Sequence, residues 1–338
     1  MRKLQNEREA ASALEQLYQS WGYTAYKMSR FEEYDLYVRN KDFLASDRII
    51  TFSGPDGRLL AMKPDVTLSI VKNAPEHGVE KVYYQENVYR DYREILQLGL
   101  ECVGDLGAYE IAETALLAAK SLEVLDPGFL LNLSHMGLTE ALLEPLPAPQ
   151  KAKALECLQR RSLHELSGFD PDLRRTLEQL SRCRSISELE TLLPQSEALT
   201  QLREIIRMLD QAGFGEHVKL DFSIGGGLGY YNGLVFRGFL PGVPGPVLSG
   251  GQYDRLPRRM GRKARAIGFA LGLDLLPFPE PEEDLDVLVL HWGAEPGALL
   301  QLRQRLSGNV LIARTVPEGR RWKKLIRFGE ESHSEEEL

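Results

Sequence analysis

The stretch from Leu220 to Leu276 constrains the fold of this 338-residue chain more than any other, because glycine clusters interrupt what otherwise reads as regular sheet. It runs LDFSIGGGLGYYNGLVF, then LSGGQYDRL, then AIGFALGLDLL. Glycine weakens a strand, so its repeated use inside strand-like sequence marks places where a ligand or a second backbone comes close. Tyr230 and Tyr231 adjoin the first cluster, and neighbouring side chains on a strand point to opposite faces. The stretch therefore predicts a sheet with a small-molecule pocket, with one phenol lining it and the other packing away.

With 43% hydrophobic and 27% charged residues, the chain can bury a large core and predicts one big soluble domain beside a small one. A net charge of -8 argues against a nucleic-acid surface, which needs clustered Lys and Arg to displace counterions. The one dense basic run, Arg255 to Arg265, leaves two readings open: a local anion site or a solvated helix face. Cys102, Cys157 and Cys183 form no CxxC pair, which predicts free thiols in a reducing, cytoplasmic setting. The opening residues carry charge throughout, with Ala10, Leu14, Leu17 and Trp21 at helical spacing, so they predict a helix and neither a signal peptide nor a membrane span. No other run is long and apolar enough to cross a bilayer.

Further along, Ile49–Phe52 and Arg58–Met62 read as a hairpin around Gly54-Pro55-Asp56-Gly57, and Pro64 opens a helix that stops near Pro75. Val79–Arg90 and Glu94–Val103 read as strands joined by Asp91-Tyr92-Arg93. Asp105 is placed to cap a helix over Ala108–Leu125, and Phe129–Leu133 is a strand. Residues 137–212 form a helical insertion broken at prolines and glycine, within a core domain spanning 1–279. A stiff acidic linker from Pro277 to Asp284 leads to a small unit, 280–338, with a β-α-β pattern over Val287–His291, Pro296–Leu306 and Val310–Ala313. The tail Glu330–Leu338 is too acidic to pack and predicts disorder.

Two constellations can carry chemistry. Along Leu96–Cys102 the period of two puts Leu96, Leu98, Leu100 and Cys102 on one face and Gln97, Gly99 and Glu101 on the other. A carboxamide and a carboxylate flanking a glycine suit a ligand that donates hydrogen bonds, such as an amine or imidazole; a solvated face with Glu101 paired to Arg90 or Arg93 is the other reading. Asp65 and Thr67 offer a second acceptor pair at a helix start, where capping and binding are both open. The six histidines lack metal-ligand spacing, and neither Gly-x-Ser-x-Gly nor a Walker-type loop is present, so no metal is expected.

In order along the chain, MKPDVT, VYR, QLGLE, GLGYYNG, SGGQYDRL and GFALGLDLL stand as they do in the catalytic core of class II histidyl-tRNA synthetases, which the chain resembles over about residues 1–276. The resemblance implies an α+β fold with an antiparallel sheet flanked by helices, a homodimer, and a pocket in which Asp65, Thr67, Gln97, Glu101 and Tyr230 or Tyr231 surround histidine. Asp65 stands where that family usually has Glu. The departures fall on the residues that would handle ATP. Gly226 and Leu275 take the places of two family arginines, and Tyr92 that of an acid, leaving Arg90 as the residual nucleotide-site arginine. Adenylate formation relies on arranged cations, so losing two of three guanidiniums should abolish it. The C-terminal unit is short and acidic for an anticodon-binding domain. A chain that keeps the histidine pocket without ATP and tRNA handling is similar to the regulatory subunits of ATP phosphoribosyltransferase, which partner a short catalytic subunit in the first step of L-histidine biosynthesis. This implies a non-catalytic role, no cofactor, no nucleic-acid or membrane partner, and histidine as feedback effector. A histidine sensor serving another partner and a divergent amino-acid:ATP ligase are the alternatives.

Overall fold

The computed structural model describes residues 4, 6–44, 48–75, 77–225, 230–278, 285–317, 320–329 and 333–337. The first of two units, Glu7–Pro277, begins with α1 (Glu7–Ser20), β1 (Thr24–Ala25), β2 (Phe31–Glu33) and α2 (Tyr34–Arg39). The hairpin β3 (Thr51–Ser53) and β4 (Leu59–Met62) follows, then α3 (Thr67–Asn73), β5 (Val79–Arg90), β6 (Arg93–Gly104), α4 (Ala108–Leu125) and β7 (Leu130–His135). Next come α5 (Met136–Leu143), α6 (Ala148–Arg160), α7 (Pro171–Arg182), α8 (Ile186–Leu192) and α9 (Glu197–Gln211). The chain returns to the sheet as β8 (Val218–Leu220), β9 (Leu234–Phe239), β10 (Leu248–Gln252), α10 (Arg255–Arg259) and β11 (Arg265–Gly272).

The helical insertion is segmented by its own capping chemistry. Side chains of Asp170, Ser185 and Ser196 accept from the first-turn N–H groups of α7, α8 and α9, and Pro stands in the first turn of α6 and α7, where its missing donor costs nothing. Helix α4 starts where the sequence places it, but Asp105 lies too far back to cap it and instead accepts from Gly78 N at 3.3 Å. Glu110 takes over, accepting from Gly107 N at 2.8 Å.

Strand order in the main sheet is β1-β5-β6-β11-β10-β9-β7-β8. The central strands pair antiparallel, as the resemblance implies, while the edge pairs β1–β5 and β7–β8 are parallel. On one face Leu98, Leu100 and Cys102 are fully buried. There Tyr18 of α1 meets the rings of Tyr83 and Phe269 at 6.0 and 6.1 Å, and its hydroxyl shares a 2.9 Å hydrogen bond with Ser121 of α4. Gly238 lets α4 approach: a Cβ there would lie 2.5 Å from Leu122 Cδ1. The inward stripe of α1 is Ala10, Ala11, Leu14 and Tyr18, because the helix ends at Ser20 and leaves Trp21 in the turn before Gly22. The opposite face of the sheet, with Gln97, Gly99 and Glu101, packs near Ile70 and Val71 of α3 and holds the site described below.

The second unit contains β12 (Leu285–His291), α11 (Pro296–Arg305), β13 (Val310–Ala313), β14 (Trp322–Phe328) and β15 (His333–Glu337), in the order β13-β12-β14-β15. Strands β13 and β14 both run parallel to β12, and Ala298, Leu299 and Leu302 of α11 pack on Val287, Val289, Ile326 and Phe328. The expected β-α-β pattern is present with two further strands. Disorder of the acidic tail is corrected for its described residues, 333–337, which form β15 and pair antiparallel with β14, while 330–332 and 338 lie outside the described residues. A ladder is built from backbone groups, which an acidic composition does not remove. Residues 279–284 of the expected linker lie outside the described residues. No helix among the described residues is long and apolar enough to cross a membrane.

Candidate functional site

The register of three strands assembles the site. Glu101 stands opposite Gly268, Gln97 opposite Gly272, and Gly99 opposite both Ala270 and Tyr84. The two glycines make room for neighbouring side chains. A Cβ on Gly99 would sit 2.3 Å from the Tyr84 ring, and one on Gly268 would sit 1.8 Å from Glu101 Oε2. The space over Gly99 that the alternation offered to a ligand is thus filled by the Tyr84 phenol, and the cavity opens beside it.

That cavity measures ≈ 610 Å³ and is lined by Asp65, Thr67, Gln97, Glu101, Tyr230 and Tyr231, together with Arg90. The expectation that Tyr230 and Tyr231 diverge is corrected, because both line it, edge to face with centroids 4.6 Å apart. They do not sit on a strand. Strand β8 stops at Leu220 because the Asp221 carboxylate turns back on its own chain, accepting from Ser223 N at 3.0 Å and Ser223 Oγ at 2.7 Å, while also binding Arg161 at 2.8 Å. Asn232 then fixes the chain beyond the tyrosines: its Oδ1 accepts from Asp254 N at 2.7 Å. Gly226 to Gly229, including the position of a family arginine, lies outside the described residues.

Glu101 is buried and is paired with neither Arg90 nor Arg93. Thr67 Oγ1 donates to its Oε1 at 2.7 Å, and the Tyr253 hydroxyl donates to its Oε2. Two neutral donors, worth about 0.5–1.5 kcal/mol each, do not offset removing a carboxylate from water, which costs several kcal/mol. Burial accordingly pushes the Glu101 carboxyl up to about 8, against the pull of those two hydroxyls and with a further push from Asp65. Asp65 caps and lines the cavity at once: Oδ1 accepts from Leu68 N at 2.9 Å, and Oδ2 lies 3.5 Å from Arg90 Nη2. Burial raises its carboxyl too, with Arg90 drawing it back.

Tyr253 and Tyr84 escaped the sequence reading. Tyr253 had one signal, its place two residues after the Gly-Gly of SGGQYDRL, but its bond to Glu101 spans 152 positions. The basic run fits its solvated-face reading in part, with Arg258 and Arg259 of α10 and Lys263 exposed, while several of its charges pair within the fold: Arg255 on Glu140 at 2.8 Å, Arg259 on Asp42 at 2.7 Å, Arg262 on the carbonyl of Lys72 at 2.7 Å and Arg265 on Asp254 at 3.4 Å. A second cavity of ≈ 540 Å³ beside α5 and α6 is crossed by that same Arg255–Glu140 pair.

The lining of the main cavity includes five carboxyl groups, Asp42, Asp65, Glu94, Glu101 and Asp274, against the guanidiniums of Arg90 and Arg93. Such a balance favours a cationic, hydrogen-bond-donating ligand and disfavours a triphosphate. Leu275, at the place of the second family arginine, is half exposed on the rim. Among the described residues no group of three His, Cys, Asp or Glu could hold a metal ion, and Cys102, Cys157 and Cys183 are free and buried.

Comparison with known proteins points the same way. A family model described as Histidyl-tRNA synthetase matches residues 2–276. An ATP phosphoribosyltransferase regulatory subunit of Clostridium kluyveri is 28% identical over 298 residues, covering 79% of this chain and 76% of that protein. A solved structure described as an ATP phosphoribosyltransferase regulatory subunit/histidyl-tRNA synthetase from Bacillus halodurans has TM-score 0.77 at 22% identity, covering 96% of this chain and 94% of its own. A chain of the ATP phosphoribosyl transferase (HisG:HisZ) complex from Thermotoga maritima has TM-score 0.65 at 20% identity, covering 79% of this chain and 97% of its own. At these identities the two structures establish the class II synthetase-like fold.

Proposed function

The chain belongs to the histidyl-tRNA synthetase family, and from that premise we propose that it is a non-catalytic regulatory subunit of ATP phosphoribosyltransferase. In this reading it acts as a dimer in the cytoplasm, docks and activates a short catalytic subunit in the first step of L-histidine biosynthesis, and relays feedback from histidine bound in the cavity. The observation that carries the reading is the charge balance of the cavity: with Glu101 protonated at neutral pH, the four carboxyl groups of Asp42, Asp65, Glu94 and Asp274 still outnumber the guanidiniums of Arg90 and Arg93, which suits an amino acid with cationic groups and suits ATP poorly. Asp65, Thr67 and Gln97 would receive the ammonium, and Glu101 with the tyrosines the imidazole. The relative from Clostridium kluyveri and the fold shared with a chain of the Thermotoga maritima complex support the partnership.

Feedback requires that histidine bind two states of the assembly with different affinity, so the catalytic partner must in turn alter histidine affinity. The test is phosphoribosyl transfer to ATP by the short catalytic subunit of the same genome, with and without this chain, across a histidine titration. Activity should rise on adding the chain and fall as histidine increases. No effect on a folded catalytic subunit would discard the assignment.

A further inference from the structure

We propose that a cationic strip on the site face of the main sheet, beyond the cavity, is where the catalytic partner docks, through an acidic segment set against Arg237 and Lys219. This deepens the regulatory reading above and rests on it. The strip is a cross-strand row. Gly99 stands opposite Ala270, Ala270 opposite Ser249, Ser249 opposite Arg237, Arg237 opposite Asn132, and Asn132 opposite Lys219, so one face carries all of them from β6 to β8. Helices α4 and α9 take the other face: Leu122 of α4 packs at Gly238, and Gln201 of α9 shares a 2.8 Å hydrogen bond with His135. Ser249 and Lys219 are exposed, and Arg237 and Asn132 partly buried. In the next row Phe239 stands opposite Leu130, both partly buried.

Arg237 is the anomaly. Among the described residues it is the only partly buried arginine whose guanidinium makes no hydrogen bond or ion pair, whereas each of the others reaches a carboxylate or a carbonyl. Asp221, which Asn132 reaches at 3.2 Å, is already taken by Arg161 and Ser223. Lys219 makes no ion pair among the described residues either, and it lies two strands from Arg237, about 10 Å at the backbone. A guanidinium drawn partly out of water without a counter-charge is costly, and an incoming carboxylate offsets that cost. Arginine beside a partly exposed aromatic is also the composition of a protein interface, whereas a small anion is held by an enclosed set of converging donors, and this strip is open. The strip adjoins the cavity: Ser249 lines it, and Arg237 draws down the Tyr231 phenol that burial and Glu101 push up. A partner seated on Arg237 therefore lies against the wall of the pocket whose occupancy it must sense.

Calorimetric titration of the full chain with the short catalytic subunit of the same genome tests this, with each variant's urea-unfolding midpoint compared with the parent's. Arg237→Glu should weaken binding at least about thirtyfold, the loss expected when one member of a desolvated charge pair is removed. Arg237→Lys should restore part of it. Lys219→Glu should weaken binding about three- to tenfold and flatten its salt dependence; because Lys219 is exposed, this variant decides the matter even where Arg237→Glu loses stability. Lys153→Glu, an equal change of charge at an exposed position of α6 off the strip, should bind as the parent does. If Arg237→Glu and Lys219→Glu bind like Lys153→Glu, the inference is overturned while the regulatory assignment stands. Inorganic phosphate bound by the parent and lost in Arg237→Glu, with the catalytic subunit bound equally by both, overturns it in favour of a small-anion site. A parent that does not bind the folded catalytic subunit overturns the regulatory reading and this inference together.

Discussion

Glu101 is the residue on which the site turns. Its carboxyl, ordinarily near 4.5, is pushed up to about 8 by burial, so the folded protein holds a proton there that the unfolded chain has released. Between those values the folded state binds more protons, and its stability therefore falls as pH rises. Glu101→Gln, which never ionises, should match the parent below about pH 4.5 and exceed it progressively up to about pH 8, by up to about 5 kcal/mol given about 1.4 kcal/mol per unit of pKa difference. Urea unfolding of both proteins across that range measures it; a gap that does not widen with pH would remove the buried acid from the account. The position of Glu101 was legible, because strict alternation over Leu96–Cys102 separates an apolar face from Gln97, Gly99 and Glu101. Its partners were not. Whether a buried carboxylate meets Arg90 or Tyr253 depends on how β10, β11 and β6 align, which pattern along one strand does not encode.

At the scale of elements, glycine spacing is where reading and structure part company most usefully. Clustered glycines did mark close approach, but what approaches Gly99 is Tyr84 from the next strand and what approaches Gly268 is Glu101. Gly99→Ala should therefore cost about 1–3 kcal/mol through overpacking, and most of that should return in the double variant Gly99→Ala, Tyr84→Leu, which removes the colliding phenol. Chemical unfolding of the single and double variants reads the coupling; additive losses would show that Tyr84 is not what the alanine meets. Strands β5 and β6 were legible almost to their ends, β6 because Leu96–Cys102 alternates and β5 because Val and Tyr recur along it. Tyr230 and Tyr231 were misread as strand residues because aromatic neighbours are strand-like, whereas the Asp221 turn that ends β8 is a side-chain effect invisible to periodicity.

For the molecule as a whole, the order of elements followed from turn and cap signals, while the last strand was missed because pairing at a sheet edge needs no apolar side chain. The division into two units assigns ligand effects to one of them. Histidine at about 100 times its dissociation constant should stabilise Glu7–Pro277 by about 2.7 kcal/mol, seen by hydrogen exchange as added protection around Asp65–Thr67, Gln97–Glu101 and Tyr231. The strands from Leu285 onward should gain none; protection there instead would relocate the site. The aromatic lining also decides how occupancy can be seen. Tyr84, Tyr230, Tyr231 and Tyr253 all line the cavity, whereas the three tryptophans stand at 21, 292 and 322, outside its lining. Indole emission is therefore a poor witness to ligand entry, and the near-ultraviolet signature of tyrosine is the optical channel through which this protein reports what it holds.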